Sequence, residues 1–437
     1  MTLDRRTFLS RTALSAAGLS SAGLLSACAG FTGSDEGSGG STGELTFTTW
    51  GTDSELAGFR RSIDAFKKAN SGAEVVLNAV PYEQMFTNID AQLQSGEAPD
   101  LFRVDYDNLG TYAGRGQLLN LEKLVDPSLG EEFTDAMWQA VQFEDAPYGV
   151  PHHTDTSAIL YNKGALESAG VTSVPTTLDS AWTWDEFEAV ALKLRADLPD
   201  DRYPFAYNWQ QSGVTRWLSW LFQADGRFLA DDLTTPAIDS AAGRAAVDFT
   251  ASFFPRKLVP ANSSVKSSVY ASDIFFSETV AMTFAGAFLL PDADKLASFG
   301  WGATFSPRDA RGGGDLGGNA LVATADAKNP ELAAEFLTFM TTRGPMEDFC
   351  KGSSLLPTRK DLVDRGIEFA VRPELSTVFL QQASTVRPAD AEQVASPSMA
   401  QINTVLSDQL ELAFTQGQST EETLANMTSG IAEATAS

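Results

Sequence analysis

Apolar and polar positions alternate along Glu44-Leu45-Thr46-Phe47-Thr48-Thr49-Trp50-Gly51, and the residue types favour extended backbone, so 44–51 reads as a strand. The period then lengthens. Over 54–70 the apolar residues Leu56, Phe59, Ile63 and Phe66 recur at helical spacing, behind Asp53 or Ser54 as N-cap. A second strand is predicted over 74–80, then a second helix over 82–95 with Phe86, Ile89 and Leu93 on one face, and a third strand over 99–104. Strand and helix alternating in this way predict a parallel α/β unit with right-handed crossovers. Ligands of such sheets sit at the carboxyl ends of the strands. That rule assigns Trp50, Asp53, Glu83, Asp105 and Asp107 to one rim.

Further along, 148–161 returns to an extended pattern, and a helix runs from its N-cap Thr183 to about residue 198. Further segments follow at 233–254, 267–276 and 329–342, with a helix-rich tail over 399–434. The stretch 308–318 contains Gly312-Gly313-Gly314 and Gly317-Gly318. It lacks a Gly-Lys-Ser/Thr ending and opens no helix with Gly-x-Gly-x-x-Gly, so it reads as a loop or hinge rather than a phosphate cradle. No internal repeat is visible.

The N-terminus changes the picture. Asp4-Arg5-Arg6-Thr7-Phe8-Leu9-Ser10 pairs two arginines ahead of an apolar pair, and 12–27 carries no charge before Leu25-Ser26-Ala27-Cys28. A basic start, a short apolar run and small residues at a cleavage point are the anatomy of an export signal, here residues 1–27. Arg5 and Arg6 point to the twin-arginine route. The alternative is a membrane anchor, but the run falls short of the ~20 residues needed to span a bilayer. Leu25-Ser26-Ala27-Cys28 resembles the bacterial lipobox, which implies lipid on Cys28. Residues 28–43 are rich in Gly and Ser and read as a flexible tether.

Only Cys28 and Cys350 are present, so lipid on Cys28 leaves no intramolecular disulfide, and Cys350 reads as an apolar filler. The formal net charge is −26; removing residues 1–27, with three Arg and one Asp, brings it near −28. That balance argues against nucleic acid and against adhesion to anionic lipid. The chain beyond the tether is long enough for two lobes.

The chain resembles family 1 of the extracellular solute-binding proteins, the maltose-binding-protein-like sugar receptors of ABC importers. Several segments carry the resemblance. Gly96-Glu97-Ala98-Pro99-Asp100 looks like the family's "G-x-x-PD" strand entry. Tyr148-Gly149-Val150-Pro151 with Leu160-Tyr161-Asn162-Lys163 is similar to its first interlobe crossing. Thr183-Trp184-Asp185-Glu186-Phe187 and Met282-Thr283-Phe284-Ala285-Gly286 match two further motifs. Gly317-Gly318-Asn319-Ala320-Leu321 and Leu356-Pro357-Thr358-Arg359 resemble the second and third crossings. The resemblance implies a two-lobed α/β fold with three crossings. Lobe 1 would comprise 44–152 and 319–350, and lobe 2 153–318 and 351–437. It implies a carbohydrate in the cleft, hinge closure around it, ABC permease subunits as partners, a monomer on the outer face of the membrane, and no catalysis, cofactor or metal.

A sugar has apolar C–H faces and a ring of hydroxyls, so its site combines aromatic planes with carboxylates and amides. On that logic the expected cleft residues are Trp50 with Asp53, Glu83, Asp105, Asp107, His153, Asp155, Trp209, Gln210, Trp217, Phe288, Gly318 and Asn319. Trp220 is the core partner of Trp217 at helical spacing, and Trp138, Trp184 and Trp301 are packing residues. His153 lacks a third ligand spaced with it and reads as cleft-lining rather than metal-binding. Two other classes stay open. A secreted glycoside hydrolase needs two carboxylates about 5–9.5 Å apart, for which Asp105 and Asp107 are the imaginable pair. A sensory or adhesive lipoprotein would use the same fold without transport.

Overall fold

Thr52, rather than Asp53 or Ser54, caps the first helix. Its hydroxyl accepts from Glu55 N at 3.4 Å, and Glu55 Oε2 accepts from Thr52 N at 2.8 Å. This reciprocal box starts α1 (Asp53–Ala69) immediately after β1 (Gly43–Thr49). Phe59 and Phe66 on α1 and Phe47 on β1 are fully buried, each contributing roughly 1.5–3 kcal/mol. The computed structural model describes residues 43–209 and 211–436, apart from the side chains of 211 and 212. Arg5, Arg6, Cys28, the tether and Gln210 lie outside the described residues.

β2 (Ala73–Ala79), α2 (Tyr82–Ser95) and β3 (Leu101–Asp105) complete the alternation that the apolar period predicts, and α3 (Tyr106–Gly114), which it does not predict, follows β3 directly. The first sheet has five strands, in the order β2, β1, β3, Gly317–Ala323, Val150–Asp155. The first three are parallel. Gly317–Ala323 runs antiparallel to β3 and to Val150–Asp155, pairing Asn319 with Asp105 on one side and with His153 on the other. An antiparallel strand presents its amino end where its neighbours present their carboxyl ends. Gly318 and Asn319 therefore join the rim set by β3.

The second sheet runs Trp301–Thr304, Ala158–Asn162, Val280–Ala285, Tyr203–Ala206. The chain passes between the sheets at Thr156-Ser157 and again before Gly317. Those passages are tied together where Asp315 accepts from Ser157 N at 2.9 Å and Ser157 Oγ at 3.3 Å. A third tie is the reciprocal backbone pairing of Thr154 and Leu356 at 2.9 and 3.1 Å.

The helix Met399–Gln416, the last but one, packs on α3, on the helix Ala241–Ala251 and on the 3-10 segment Gln211–Trp217. This corrects two expected cleft residues, because that layer covers them. Trp209 is fully buried, with Nε1 donating to Ser263 O at 3.2 Å and its ring 4.8 Å from Tyr207 and 5.0 Å from Phe414. Trp217 is fully buried too, donating to Thr250 Oγ1 at 3.0 Å. Both indole N–H groups find partners inside the lobe, as buried tryptophans require.

Candidate functional site

Between the two sheets lies a cavity of about 450 Å³. The first-sheet side contributes Trp50, Tyr82, Glu83, Asp105, His153 and Asn319. The second-sheet side contributes Asn208, Gly213, Arg216, Tyr270 and Phe288, and Asp155 sits at the passage between them. Tyr270 OH reaches Glu83 Oε1 at 3.3 Å, so the two walls touch directly.

Arg103, on β3, organises the first wall. Its Nε donates to Asn319 Oδ1 at 2.8 Å, Nη1 to Trp50 O at 2.8 Å, and Nη2 to Glu55 Oε1 at 2.7 Å. Nη2 also lies 3.1 Å from His153 Nε2. Arg103 and Glu55 are both buried and form an ion pair. The guanidinium carbon stands 4.5 Å from the centre of the Trp50 ring, a cation–π contact. One side chain thus fixes the ends of β1, β3, Val150–Asp155 and Gly317–Ala323.

The same contacts fix the histidine tautomers. Arginine only donates, so His153 Nε2 accepts and its proton is on Nδ1. That proton points to His152 Nδ1 at 3.1 Å. His152 therefore carries its hydrogen on Nε2, an atom without a partner among the described residues. Burial holds both imidazoles neutral, aided by the charge of Arg103; His152 falls to about 3 and His153 well below its usual value.

The carboxylates behave oppositely. Burial raises Asp105, even though Tyr82 OH donates to its Oδ2 at 2.9 Å and Asn319 Nδ2 donates to Oδ1. Burial, with repulsion from Asp315, pushes Asp155 up to about 7. Asp155 Oδ1 accepts from Ala287 N at 3.1 Å. A β-carbon at Gly286 would lie 2.0 Å from Asp155 Oδ2, so the glycine is what admits this carboxylate. Gly318 has φ +89, and a β-carbon there would meet His153 O at 2.4 Å.

The cavity brings together Trp50, Glu83, Asp105, His153, Asp155, Phe288, Gly318 and Asn319 of the expected set. Asp53 is a correction: it is exposed on the first turn of α1 and does not line the cavity, because Thr52 and Glu55 take the inward positions. Asp107 is another. It points behind the rim, where Asn403 Nδ2 donates to its Oδ2 at 2.9 Å, and it borders a separate small pocket. Burial and then the charge of Asp105 raise it. Arg103, Asn208, Arg216 and Tyr270 were missed. Arg103 was readable as a charge inside an apolar strand; the other three sit in irregular segments without a periodic signal. Among the described residues no group of three or more His, Cys, Asp or Glu is placed to hold a metal ion.

Two α/β lobes around a cavity lined from both sides define a two-lobed binding protein. The chain matches the family model of the bacterial extracellular solute-binding proteins over residues 50–347 and belongs to that family. It is 26% identical over 323 residues to a lipoprotein of Streptomyces antibioticus, spanning 72% of this chain and 68% of the relative. It is 22% identical to the galactooligosaccharide-binding protein of Bacillus subtilis, over 78% of both chains. Its fold is similar to the GacH receptor of Streptomyces glaucescens, solved unliganded and with acarbose, at TM-score 0.75 and 20% identity over 90% of this chain and 98% of that one. It is also similar to UgpB of Mycobacterium tuberculosis, solved with glycerophosphocholine, at TM-score 0.74 and 21% identity over 90% and 98%.

Proposed function

We propose that the protein captures a carbohydrate outside the cytoplasm and hands it to the permease of an ATP-driven importer. The cavity's composition carries this reading: Trp50, Tyr82 and Phe288 supply aromatic surface beside Asp105, Asp155, Asn208 and Asn319. A stacked sugar face burying on the order of 60 Å² gains ~1.5 kcal/mol, and hydroxyl contacts to charged partners add ~1.5–3 kcal/mol each. The cavity volume falls within the range of small-molecule sites. The galactooligosaccharide-binding and acarbose-binding relatives support the ligand class.

In this reading the lobes are those expected, 44–152 with 319–350 and 153–318 with 351–437, except that 153–155 and 317–318, which lie in strands of the first sheet, go with the first lobe, and they close on ligand as a monomer without chemistry of their own. Residues 1–27 are the export signal, with Arg5 and Arg6 selecting the twin-arginine route. Cys28 carries lipid, and 28–43 tethers the lobes to the membrane. The lipoprotein relative supports the anchor. Cys28→Ser is expected to release the protein from membranes, and Arg5→Lys with Arg6→Lys to leave precursor in the cytoplasm.

The deciding experiment is a thermal-shift screen of the mature protein against neutral, acidic and amino sugars and non-sugar solutes. A sugar at 100-fold its Kd adds ~2.7 kcal/mol of stability. Stabilisation by a non-sugar solute alone would overturn the carbohydrate reading.

A further inference from the structure

Arg216 is the charged lining residue whose side-chain hydrogen bonds the described residues leave unmade. Arg103 is the contrast, with its nitrogens donating to Asn319, Trp50 O and Glu55. The Arg216 guanidinium has only an ion pair, from Nε to Asp315 Oδ2 at 3.7 Å, which is too long for a hydrogen bond. The side chain is 24% exposed and lines the cavity.

This guanidinium is carried on a fixed backbone. Arg216 O accepts from Tyr207 OH at 3.1 Å and from Ser219 Oγ at 2.7 Å, and the next residue, Trp217, is fully buried. A β-carbon at Gly213 would lie 2.9 Å from Arg216 Nη1 and 2.9 Å from Asn208 O, so the glycine leaves room for the guanidinium. Asp315 stands behind it. That carboxylate is buried and accepts from Ser157 N and Oγ at 2.9 and 3.3 Å, the bonds that tie two passages between the sheets. The arginine is thus braced against the hinge.

The charge of Arg216 is met, and its donors are not. Asp315 supplies the counter-charge from the wall, so a carboxylate or phosphate on the ligand would add a second anion beside one cation. Uncharged oxygens take the N–H bonds without adding charge. A guanidinium is planar and offers its donors side by side, and oxygens on neighbouring carbons of a sugar ring offer their lone pairs side by side. We propose that Arg216 is the polar anchor of the ligand, its fork donating to two neighbouring uncharged oxygens of a sugar. The proposal rests on the carbohydrate reading above. Arg216 then selects among sugars by which of them place such a pair within reach of a guanidinium that Gly213 and Asp315 hold in position.

The test uses the mature protein with glucose, galactose, maltose, lactose, cellobiose and glucuronate. The probe that raises the melting temperature most is titrated calorimetrically into wild type, Arg216→Lys and Arg216→Gln. Lysine keeps the charge opposite Asp315 but lacks the fork. Both variants are expected to melt near the wild-type temperature. Both are expected to bind at least about tenfold more weakly, the value of one hydrogen bond from a charged donor. In the wild type, phenylglyoxal labelling read by peptide mass spectrometry is expected to modify Arg216 and not Arg103, and the bound sugar to protect Arg216. Affinity within about threefold of wild type in either variant would overturn the anchor and leave the carbohydrate reading standing. Glucuronate as the tightest probe would overturn the uncharged oxygens, again leaving that reading in place. Binding of none of these probes would overturn both. Should the variants fail to fold, modification of Arg216 at the same rate with and without saturating sugar is sufficient to reject the proposal.

Discussion

Two arginines face the cavity, and their surroundings differ. Arg103 is buried, paired with Glu55, and its nitrogens bond to Trp50 O, Asn319 and Glu55. Arg216 is a quarter exposed and stands 3.7 Å from Asp315, beside the raised carboxyl of Asp155. The polar groups of the first wall are largely bonded to one another: that network holds the strand ends and Trp50 in place, and the wall presents its aromatic surface to a ligand. The second wall is less committed: the Arg216 guanidinium has no hydrogen-bond acceptor among the described residues and only a 3.7 Å ion pair with Asp315. Preorganisation and recognition are thus divided between the two sides of one cleft.

Removing Arg103 gives the largest expected effect. Arg103→Ala leaves Glu55 buried without its counter-charge and His153, Asn319 and Trp50 O without their donor. A loss of ~3–5 kcal/mol in denaturant unfolding is expected. A loss under about 1 kcal/mol would mean that the first wall is not held by this network. The core tryptophans sharpen the comparison from the other side. Trp209→Ala is expected to cost ~3–5 kcal/mol while leaving the affinity of the folded fraction unchanged, because the ring touches Tyr207 and Phe414 rather than the cavity. Weakened binding at full stability would return Trp209 to the cleft.

Asp155, at the passage between the walls, predicts a pH dependence. Asp155 sits at about 7, above its unfolded value of about 3.9. Its protonated form is favoured in the folded state, so the stability it contributes is fully present below about pH 4 and is lost as the pH rises through about 7. Asp155→Asn is expected to remove that part of the slope and to be more stable than the wild type above pH 7, by roughly 2–4 kcal/mol at most. Parallel stability profiles of the two proteins between pH 4 and 8 would remove Asp155 as the strained group.

The two walls also differed in how far they could be read beforehand. The first wall follows from the period of apolar residues, because a strand that ends before a helix places its last side chains at the rim; Trp50 and Asp105 are cases. Asn319 came from the family resemblance, and its place at that rim depends on an antiparallel strand returning from over 200 residues away. The second wall is built from irregular segments around Asn208, Gly213 and Tyr270, which carry no period. Trp209 stands beside polar neighbours and Trp217 is one of a helically spaced pair with Trp220, and on those grounds both are expected in the cleft. What decided their burial was the helix Met399–Gln416, whose Phe414 closes over Trp209 from the far end of the chain.

The central claim is that the cavity containing Trp50 binds the solute. Calorimetric titration of wild type and Trp50→Ala, with whichever sugar the thermal screen selects, tests it most directly. The variant is expected to lose about tenfold in affinity, the ~1.5 kcal/mol of one stacked face, with its melting temperature nearly unchanged because the ring is partly exposed. Unchanged affinity in a folded Trp50→Ala protein would contradict the account and place the ligand elsewhere.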